Sequence, residues 1–498
     1  MLIFVFIYAT MLLEERSVFP VSRTVMVGRA EECRKLERCV DRQQAQLVTV
    51  YGRRRVGKTF LINEFFDKRF DFKLTGEYKA SKESQLENFI LEWNRRTKSN
   101  HAIPDSWKEA FSLLREYLSS LPTTEKHIVF FDEMPWMDTP NSGFLPSFEY
   151  FWNDYGSACD HLIFIICGSS TSWMMDHIER NKGGLFNRRT CKILLEPFSL
   201  LETELYLKSL GIEWARYDIA EMYMITGGIP YYLSFLTPDL SLSENIDNLF
   251  FQKGAELRDE FDHLFRTLFE NSELYIRIVE TLSKKKSGMG RAELAEKAGI
   301  PVNGCLTKKL SNLVDAGFVR ASSFYNQKKR DIQYQLSDYY TLFYFRFVKD
   351  HYGQDEHYWS NAVDLPSRRV WAGLTFEQLC RDHSAQIKQQ LGIAGVLSEE
   401  SVWFSRCNEE GSSRGAQIDL VIDRRDHTTT LCEMKYSVNV FEIDKDYEII
   451  LRNKIDAFRR ETGTKKSLQL ALITTFGVKK NKYSNIVARQ VVLDDLFT

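Results

Sequence analysis

The eight residues Gly52-Arg53-Arg54-Arg55-Val56-Gly57-Lys58-Thr59 restrict the possible folds of this chain more than any other stretch. They follow a β-branched run, Gln46 to Tyr51, and precede an amphipathic helical pattern, Thr59 to Phe66. The spacing is G-x-x-x-x-G-K-[ST]. The glycines let the backbone curl so that successive N–H groups and the N-terminus of the next helix face one anion. That spacing assigns Lys58 to the β- and γ-phosphates of a nucleotide and the Thr59 hydroxyl to Mg²⁺. Arg53, Arg54 and Arg55 then read as rim charge, and the segment from Gly52 to Phe60, Val56 included, is the expected ATP contact. A strand, a phosphate loop and a helix in this order predict an α/β fold built on a parallel sheet.

A site of this kind needs an acid at the end of a second buried strand to hold the metal and polarise water. "HIVFFDEMPWM" supplies it: His127 to Phe131 is continuously apolar, and Asp132 and Glu133 follow at its C-terminal end. Asp132 is expected to hold Mg²⁺ and Glu133 to act as catalytic base. A third run, "HLIFIICGSS" (His161 to Ser170), ends in small polar residues, with Ser169 or Ser170 as candidate γ-phosphate sensor. Arg188 and Arg189 precede a further strand, Cys191 to Leu195. Either could neutralise transition-state charge, in its own site or a neighbouring subunit's, or stand as a solvated pair.

These residues together resemble the ASCE class of P-loop ATPases, and more narrowly the AAA-like, STAND-related prokaryotic group often called archaeal-type ATPases. The marks are "MVGRAEECRKLERCV" with Val27, Gly28, Arg29 and Glu31, the GRRRVGKT loop, FFDEMPWM, "LEPFSLLE", and "TGGIPYYL" with Gly227, Gly228 and Pro230. The resemblance implies ATP hydrolysis with Mg²⁺ and a Gly-Gly-x-Pro turn in a helical lid near the nucleotide. Asn187-Arg188-Arg189 stands where relatives carry a Gly-Arg turn.

At 498 residues the chain exceeds one core and is expected to hold two to four domains. Hydrophobic content of 44% and charge of 27% are those of a globular protein, and a net charge of -2 leaves room for local basic clusters. The nine cysteines are scattered without a C-x-x-C pair, which points to a reducing cytoplasm with neither a disulfide framework nor a zinc site. Met1 to Leu13 is almost wholly apolar but shorter than the roughly 18 residues that span a bilayer. It reads as a packing segment, or as sequence upstream of a start at Met11. Stable membrane insertion is not expected.

Past the polar passage Thr237 to Asn248, three helical patterns precede two strand-like runs around a basic turn: "SELYIRIVETLS", "RAELAEKAG", "NGCLTKKLSNLVDAG", then "FVRASSFYNQKKRDIQYQLSD". This is the order of a winged helix, and "LVDAGFVR" resembles its usual exit from the third helix, the one offered to a major groove. Between Lys284 and Arg330 stand 11 Lys and Arg against three acids. Lys308, Lys309, Lys328, Lys329 and Arg330 are expected to touch nucleic-acid backbone, DNA foremost. The dense aromatics Tyr339, Tyr340, Phe343, Tyr344, Phe345 and Phe347 read as interdomain core.

The last third carries a carboxylate and lysine constellation. "GLTFEQLCRD" reads as a helix with Glu377 near its start, and the strand-like runs Gln417 to Ile422 and Thr429 to Lys435 form a hairpin carrying Asp419, Glu433 and Lys435. Alternation puts Glu433 and Lys435 on one face. Two carboxylates can hold Mg²⁺ or Mn²⁺, and a lysine beside the metal can orient or activate water. With the basic helix "YEIILRNKIDAFRR", this resembles the PD-(D/E)XK nuclease fold. The resemblance implies Glu377 as helix acid, Asp419 and Glu433 as metal ligands, Lys435 as catalytic lysine and Gln417 as accessory group, with Ile418 in place of the motif's proline. Such domains accompany the ATPase family above.

The expected architecture is therefore a P-loop ATPase with helical lid (25–236), a linker and winged helix (237–350), and a restriction-endonuclease-like α/β domain (351–498). The expected function is that of a cytoplasmic ATPase acting on or near DNA, with a metal-dependent nuclease domain and possible self-assembly. The competing reading is a nucleotide-dependent switch or scaffold whose C-terminal fold cuts nothing. A third is a tethered ATPase anchored by Met1 to Leu13.

Overall fold

Continuous apolar runs build the first sheet. Its strands are β1 (Gln46–Tyr51), β2 (Phe72–Thr75), β3 (His127–Asp132), β4 (Leu162–Gly168) and β5 (Cys191–Leu194), all parallel, in the order β2-β3-β4-β1-β5. The three central strands are buried along their whole length, whereas β2 and β5 at the edges are partly exposed. This is the signature of a parallel sheet covered on both faces. The computed structural model describes residues 26–179, 184–185, 188–269, 271–325, 332–351, 354–405 and 416–498. Met1 to Leu13, Asn187, Lys328, Lys329 and Arg330 lie outside them.

One sheet face packs on three helices, Lys82–Thr97, Trp107–Ser120 and Phe144–Asp154. Two of them start at serines that cap their own backbone: Ser81 accepts from Ser84 N and Ser106 from Glu109 N, each at 3.3 Å. Aromatic rings fill the layer between, Trp107 meeting Phe144 edge-on at 4.7 Å and Phe131 meeting Phe164 at 5.0 Å. Truncating one such ring to alanine costs about 3–5 kcal/mol, so this layer fixes the heights of β3 and β4 relative to each other. Their C-terminal ends, and that of β1, therefore form a rigid platform.

The chain divides into two compact units, the first ending at Glu196 and the second beginning at Pro197. In the second, the helix Arg216–Thr226 stops at Gly227, whose φ of 65° permits its N–H to reach Tyr223 O at 2.7 Å. Pro230 starts the next helix, Pro230–Leu233. Between them Gly228 has φ 66°, and a Cβ there would lie 2.3 Å from Phe198 O. The Gly-Gly-x-Pro stretch is thus a helix stop and restart held against residue 198.

Further on, the helices Ser272–Ser283, Arg291–Ala298 and Gly304–Asp315 surround β6 (Met289–Gly290), β7 (Val319–Ser323) and β8 (Ile332–Leu336), an antiparallel sheet in the order β6-β8-β7. Lys308 is exposed on the third helix. Lys309 is not available to a polyanion: it is buried, with its ammonium 4.1 Å above the Tyr275 ring. Helical spacing turned it inward, onto the first helix. The aromatic stretch after β8 is core of this unit: Phe343 meets Phe250 at a tilt and Trp359 and Trp371 edge-on, with centroids 4.9–5.6 Å away.

The C-terminal sheet contains β9 (Ser398–Phe404), β10 (Gln417–Arg424), β11 (Thr428–Lys435), β12 (Ser467–Thr474) and β13 (Arg489–Val492), in the order β13-β12-β11-β10-β9. β9, β10 and β11 are antiparallel, and β11, β12 and β13 parallel. The helix Lys445–Thr462 makes the crossover from β11 to β12. Asp444 caps its start and Gly463, at φ 64°, ends it. Glu377 corrects the sequence reading: the helix runs from Pro366 to Asp382, so Glu377 lies in its second half. Pro366 opens the helix at N1, a start signal upstream of the apolar pattern.

Candidate functional site

β4 lies between β1 and β3, so the segments leaving these three strands converge at the C-terminal edge of the first sheet. That edge is where open α/β sheets bind ligands. The loop after β1 folds back sharply: Gly52 has φ 144°, Arg55 72° and Gly57 90°. A Cβ on Gly52 would sit 2.2 Å from Leu195 O, so only glycine fits there. Lys58 is buried, and its ammonium donates to Gly52 O (3.1 Å) and Arg53 O (2.8 Å), which draws the loop into a ring. Burial lowers its pKa. Arg53, Arg54 and Arg55 are half-buried, and Phe60 is exposed.

The Thr59 hydroxyl donates to Asp132 Oδ2 at 2.8 Å across 73 residues of sequence. A hydroxyl and a carboxylate held together beside the loop are a hard-oxygen pair of the type Mg²⁺ accepts. Glu133, next in the chain, adopts φ 45°. That turn points its carboxylate at the end of β4, where Oε2 accepts from Ser169 N (3.0 Å) and Ser169 Oγ (2.8 Å). Asp132, Glu133 and Ser169 are thereby brought together as their strand ends required. Arg188 is exposed in the segment before β5.

Arg29 was legible only as part of a familial stretch, yet it braces the loop. It is buried, has φ 64°, and donates to Val56 O (3.0 Å) and Glu196 O (2.8 Å). A basic residue just before a helix and ahead of the P-loop was the available signal.

In the second unit, Leu420 pairs with Cys432, and continuing this register sets Asp419 opposite Glu433. Both are buried. Asp419 Oδ1 accepts from Gln417 Nε2 (3.1 Å), and Oδ2 accepts from the Met434 N–H (3.0 Å). Its partners are neutral; the cations stand on Glu433 instead. Lys435 Nζ lies 3.0 Å from Glu433 Oε1, Lys454 Nζ 2.7 Å from Oε2, and the Tyr447 hydroxyl donates to Oε1 at 2.9 Å. Burial alone would raise the Glu433 pKa, but Lys435 and Lys454 outweigh it and hold the group below its ordinary value. Tyr447 and Lys454 lie seven residues apart on one helix, a same-face spacing that sequence reading passed over.

Glu377 lines the same cleft as Asp419, with Lys286, Ser322, Gln335 and Arg381. Lys286 pairs with Glu377 at 2.7 Å. Two carboxylates from neighbouring strands are hard donors suited to Mg²⁺ or Mn²⁺. Among the described residues no group of three or more His, Cys, Asp or Glu is disposed to hold an ion.

Burial, and behind it Glu433 and Glu377, push the Asp419 carboxyl up to about 7. The native state therefore keeps a proton that the unfolded chain releases near its ordinary pKa of about 4. Between those values the native state binds more protons than the unfolded one, so stability falls as pH rises through this window. Urea unfolding of the metal-free protein is expected to show this fall between about pH 4 and about pH 7, and Asp419→Asn to flatten it.

Residues 26–236 match the model of the ATPase domain predominantly from Archaea. An uncharacterized protein of Methanocaldococcus jannaschii is 23% identical over 419 residues, which cover 83% of this chain and 88% of the relative. An uncharacterized ATP-binding protein of the same organism is 47% identical over 45 residues, 9% of this chain and 76% of that one. Among solved structures, a Walker-type ATPase of Pyrococcus abyssi is 19% identical, with a TM-score of 0.46 over 66% of this chain and 98% of its own. Among the described residues no helix is long and apolar enough to cross a membrane. With the loop, the acidic pair and Ser169 in the arrangement described, residues 26–236 are an archaeal-type ATPase domain.

Proposed function

We propose that this protein couples Mg²⁺-dependent ATP hydrolysis at its P-loop to metal-dependent cleavage of DNA phosphodiesters at the Asp419, Glu433 and Lys435 cluster. The carrying observation is that cluster's geometry: two buried carboxylates facing each other across adjacent strands, a lysine 3.0 Å from one of them, and the acid Glu377 lining the same cleft as Asp419. At the P-loop, Mg²⁺ would be held by Thr59 and Asp132 and would neutralise phosphate charge. Lys58 and the loop N–H groups would bind the phosphates, and Glu133 would take the proton from the attacking water. In the C-terminal fold, which this reading assigns to the PD-(D/E)XK class, Asp419 and Glu433 would hold a divalent cation that polarises the phosphodiester. Lys435 would orient the water.

The helices Ser272–Ser283, Arg291–Ala298 and Gly304–Asp315 with their small sheet are read as a winged helix, and the exposed Lys308 as a backbone contact for DNA. Part of the basic surplus in this region is internally neutralised, since Lys285 and Lys297 both pair with Glu293. DNA affinity would then rest on fewer cations than composition alone suggests, and its salt dependence should be correspondingly shallow. One observation favours the alternative of a switch with an inert C-terminal fold: Glu433 already receives two ammonium groups and a phenol.

A metal-dependent cleavage assay on labelled DNA, with and without ATP, separates these readings. Wild-type protein is expected to cut in Mg²⁺ or Mn²⁺, and Lys435→Ala to lose about a hundredfold or more in cleavage rate while hydrolysing ATP normally. Absence of cutting by wild-type protein on DNA of any form would leave the switch reading standing.

A further inference from the structure

The negative charges around Asp419 are already more than matched by the chain itself. Three acids, Asp419, Glu433 and Glu377, meet Lys435 and Lys454 on Glu433 and Lys286 on Glu377, and the Arg381 guanidinium lines the cleft as a fourth cation. A divalent ion entering alone would enlarge that positive excess next to carboxylates that are 7% and 2% exposed. Excess charge of one sign is costly where water is largely excluded. Among the described residues the donors are also too few to enclose an ion, because only two carboxylates face each other across β10 and β11. An anionic phosphodiester would supply a ligand and offset one of the two added charges, and withdrawal of the Lys454 ammonium from Glu433 would offset the other.

The cleft has neutral and basic donors placed for such a group. Its second wall is the three-stranded sheet, which contributes Ser322 and Gln335, and this wall is firmly joined to the helix Pro366–Asp382. Arg381 donates to Gln335 Oε1 at 3.3 Å, the Tyr339 hydroxyl donates to Asp382 Oδ2 at 2.6 Å, and Arg320 pairs with Asp382. The Tyr325 N–H donates to Val402 O at 3.0 Å, which ties the end of β7 to β9. The phosphate donors and the carboxylates therefore belong to one composite site.

We propose that a divalent cation and a phosphodiester enter this site only as a pair, and that Lys454 holds the metal's place on Glu433 until they do. The inference rests on the nuclease reading above and adds to it a binding order and a residue. By linkage, DNA must tighten metal binding by the factor by which metal tightens DNA binding. Lys454 acts as a positioning residue, displaced from Glu433 as the ion arrives.

Mn²⁺ binding to the full-length, nucleotide-free protein, followed by electron paramagnetic resonance, tests this. The titration is run with and without a mixed-sequence phosphorothioate DNA that resists cleavage, and the Asp419→Asn signal is subtracted to remove ions bound elsewhere. The expected result is Asp419-dependent binding at least about tenfold tighter with DNA present. Lys454→Gln leaves Glu433 with Lys435 and Tyr447 as partners, which a thermal melt would verify. It is expected to bind Mn²⁺ without DNA and to show a smaller gain when DNA is added. Equal affinity with and without DNA in the wild type overturns paired entry while leaving a metal-binding nuclease site intact. Absence of Asp419-dependent Mn²⁺ in both arms overturns the nuclease reading as well.

Discussion

Lys58→Ala is expected to lower ATP affinity by at least about a hundredfold and to bring turnover to background. The buried ammonium bridges Gly52 O and Arg53 O, so it performs two tasks at one point: it keeps the loop curled and places a cation where phosphate oxygens would arrive. Burial weakens its hold on its proton, which means that part of its desolvation cost is already met before a ligand binds. A charge-assisted hydrogen bond contributes about 1.5–3 kcal/mol, and two of them to a triphosphate correspond to a factor of about a hundred or more in Kd. Alanine removes those bonds and leaves both carbonyls without this donor. Calorimetric titration with a non-hydrolysed ATP analogue reads the loss, and a thermal melt confirms that the variant is folded. Binding within about threefold of wild type would remove this loop from the nucleotide site.

What the sequence made legible follows from how local each signal is. β1 and β3 are short apolar runs followed at once by the residues that matter, so their ends could be read directly, and with them Lys58, Asp132 and Glu133. Ser169 needed one further step, because it is defined by β4 lying between the other two strands. In the C-terminal third, alternation placed Glu433 beside Lys435, and the hairpin brought Asp419 opposite. The groups that surround those carboxylates are tertiary. Lys454 reaches Glu433 from 21 residues away, on a crossover helix. Lys286 reaches Glu377 across 91 residues, from just before β6. No periodicity encodes such pairings, since they depend on which face of one element meets another. Lys309 illustrates the same limit in reverse. A charge count places it on a basic surface, and helix packing puts its ammonium over the Tyr275 ring.

Glu133→Gln is expected to bind ATP within a few-fold of wild type while turnover falls by about a hundredfold to ten-thousandfold, the usual contribution of a positioned base. The two adjacent acids are separated by their hydrogen bonds. Asp132 is joined to the P-loop through Thr59, whereas Glu133 turns away at φ 45° and accepts two bonds from Ser169. Loss of Glu133's charge therefore leaves the Thr59 to Asp132 contact in place, which is why binding should survive. A glutamine carbonyl can still accept from Ser169 N and Oγ, so the strained backbone at this position keeps its tether. What glutamine cannot do is take a proton from water. The deficit should accordingly appear in kcat with little change in KM, and stability should match the parent. Wild-type turnover by this variant would move the base elsewhere on the platform, and a large loss of ATP affinity would mean that Glu133 is part of the binding apparatus.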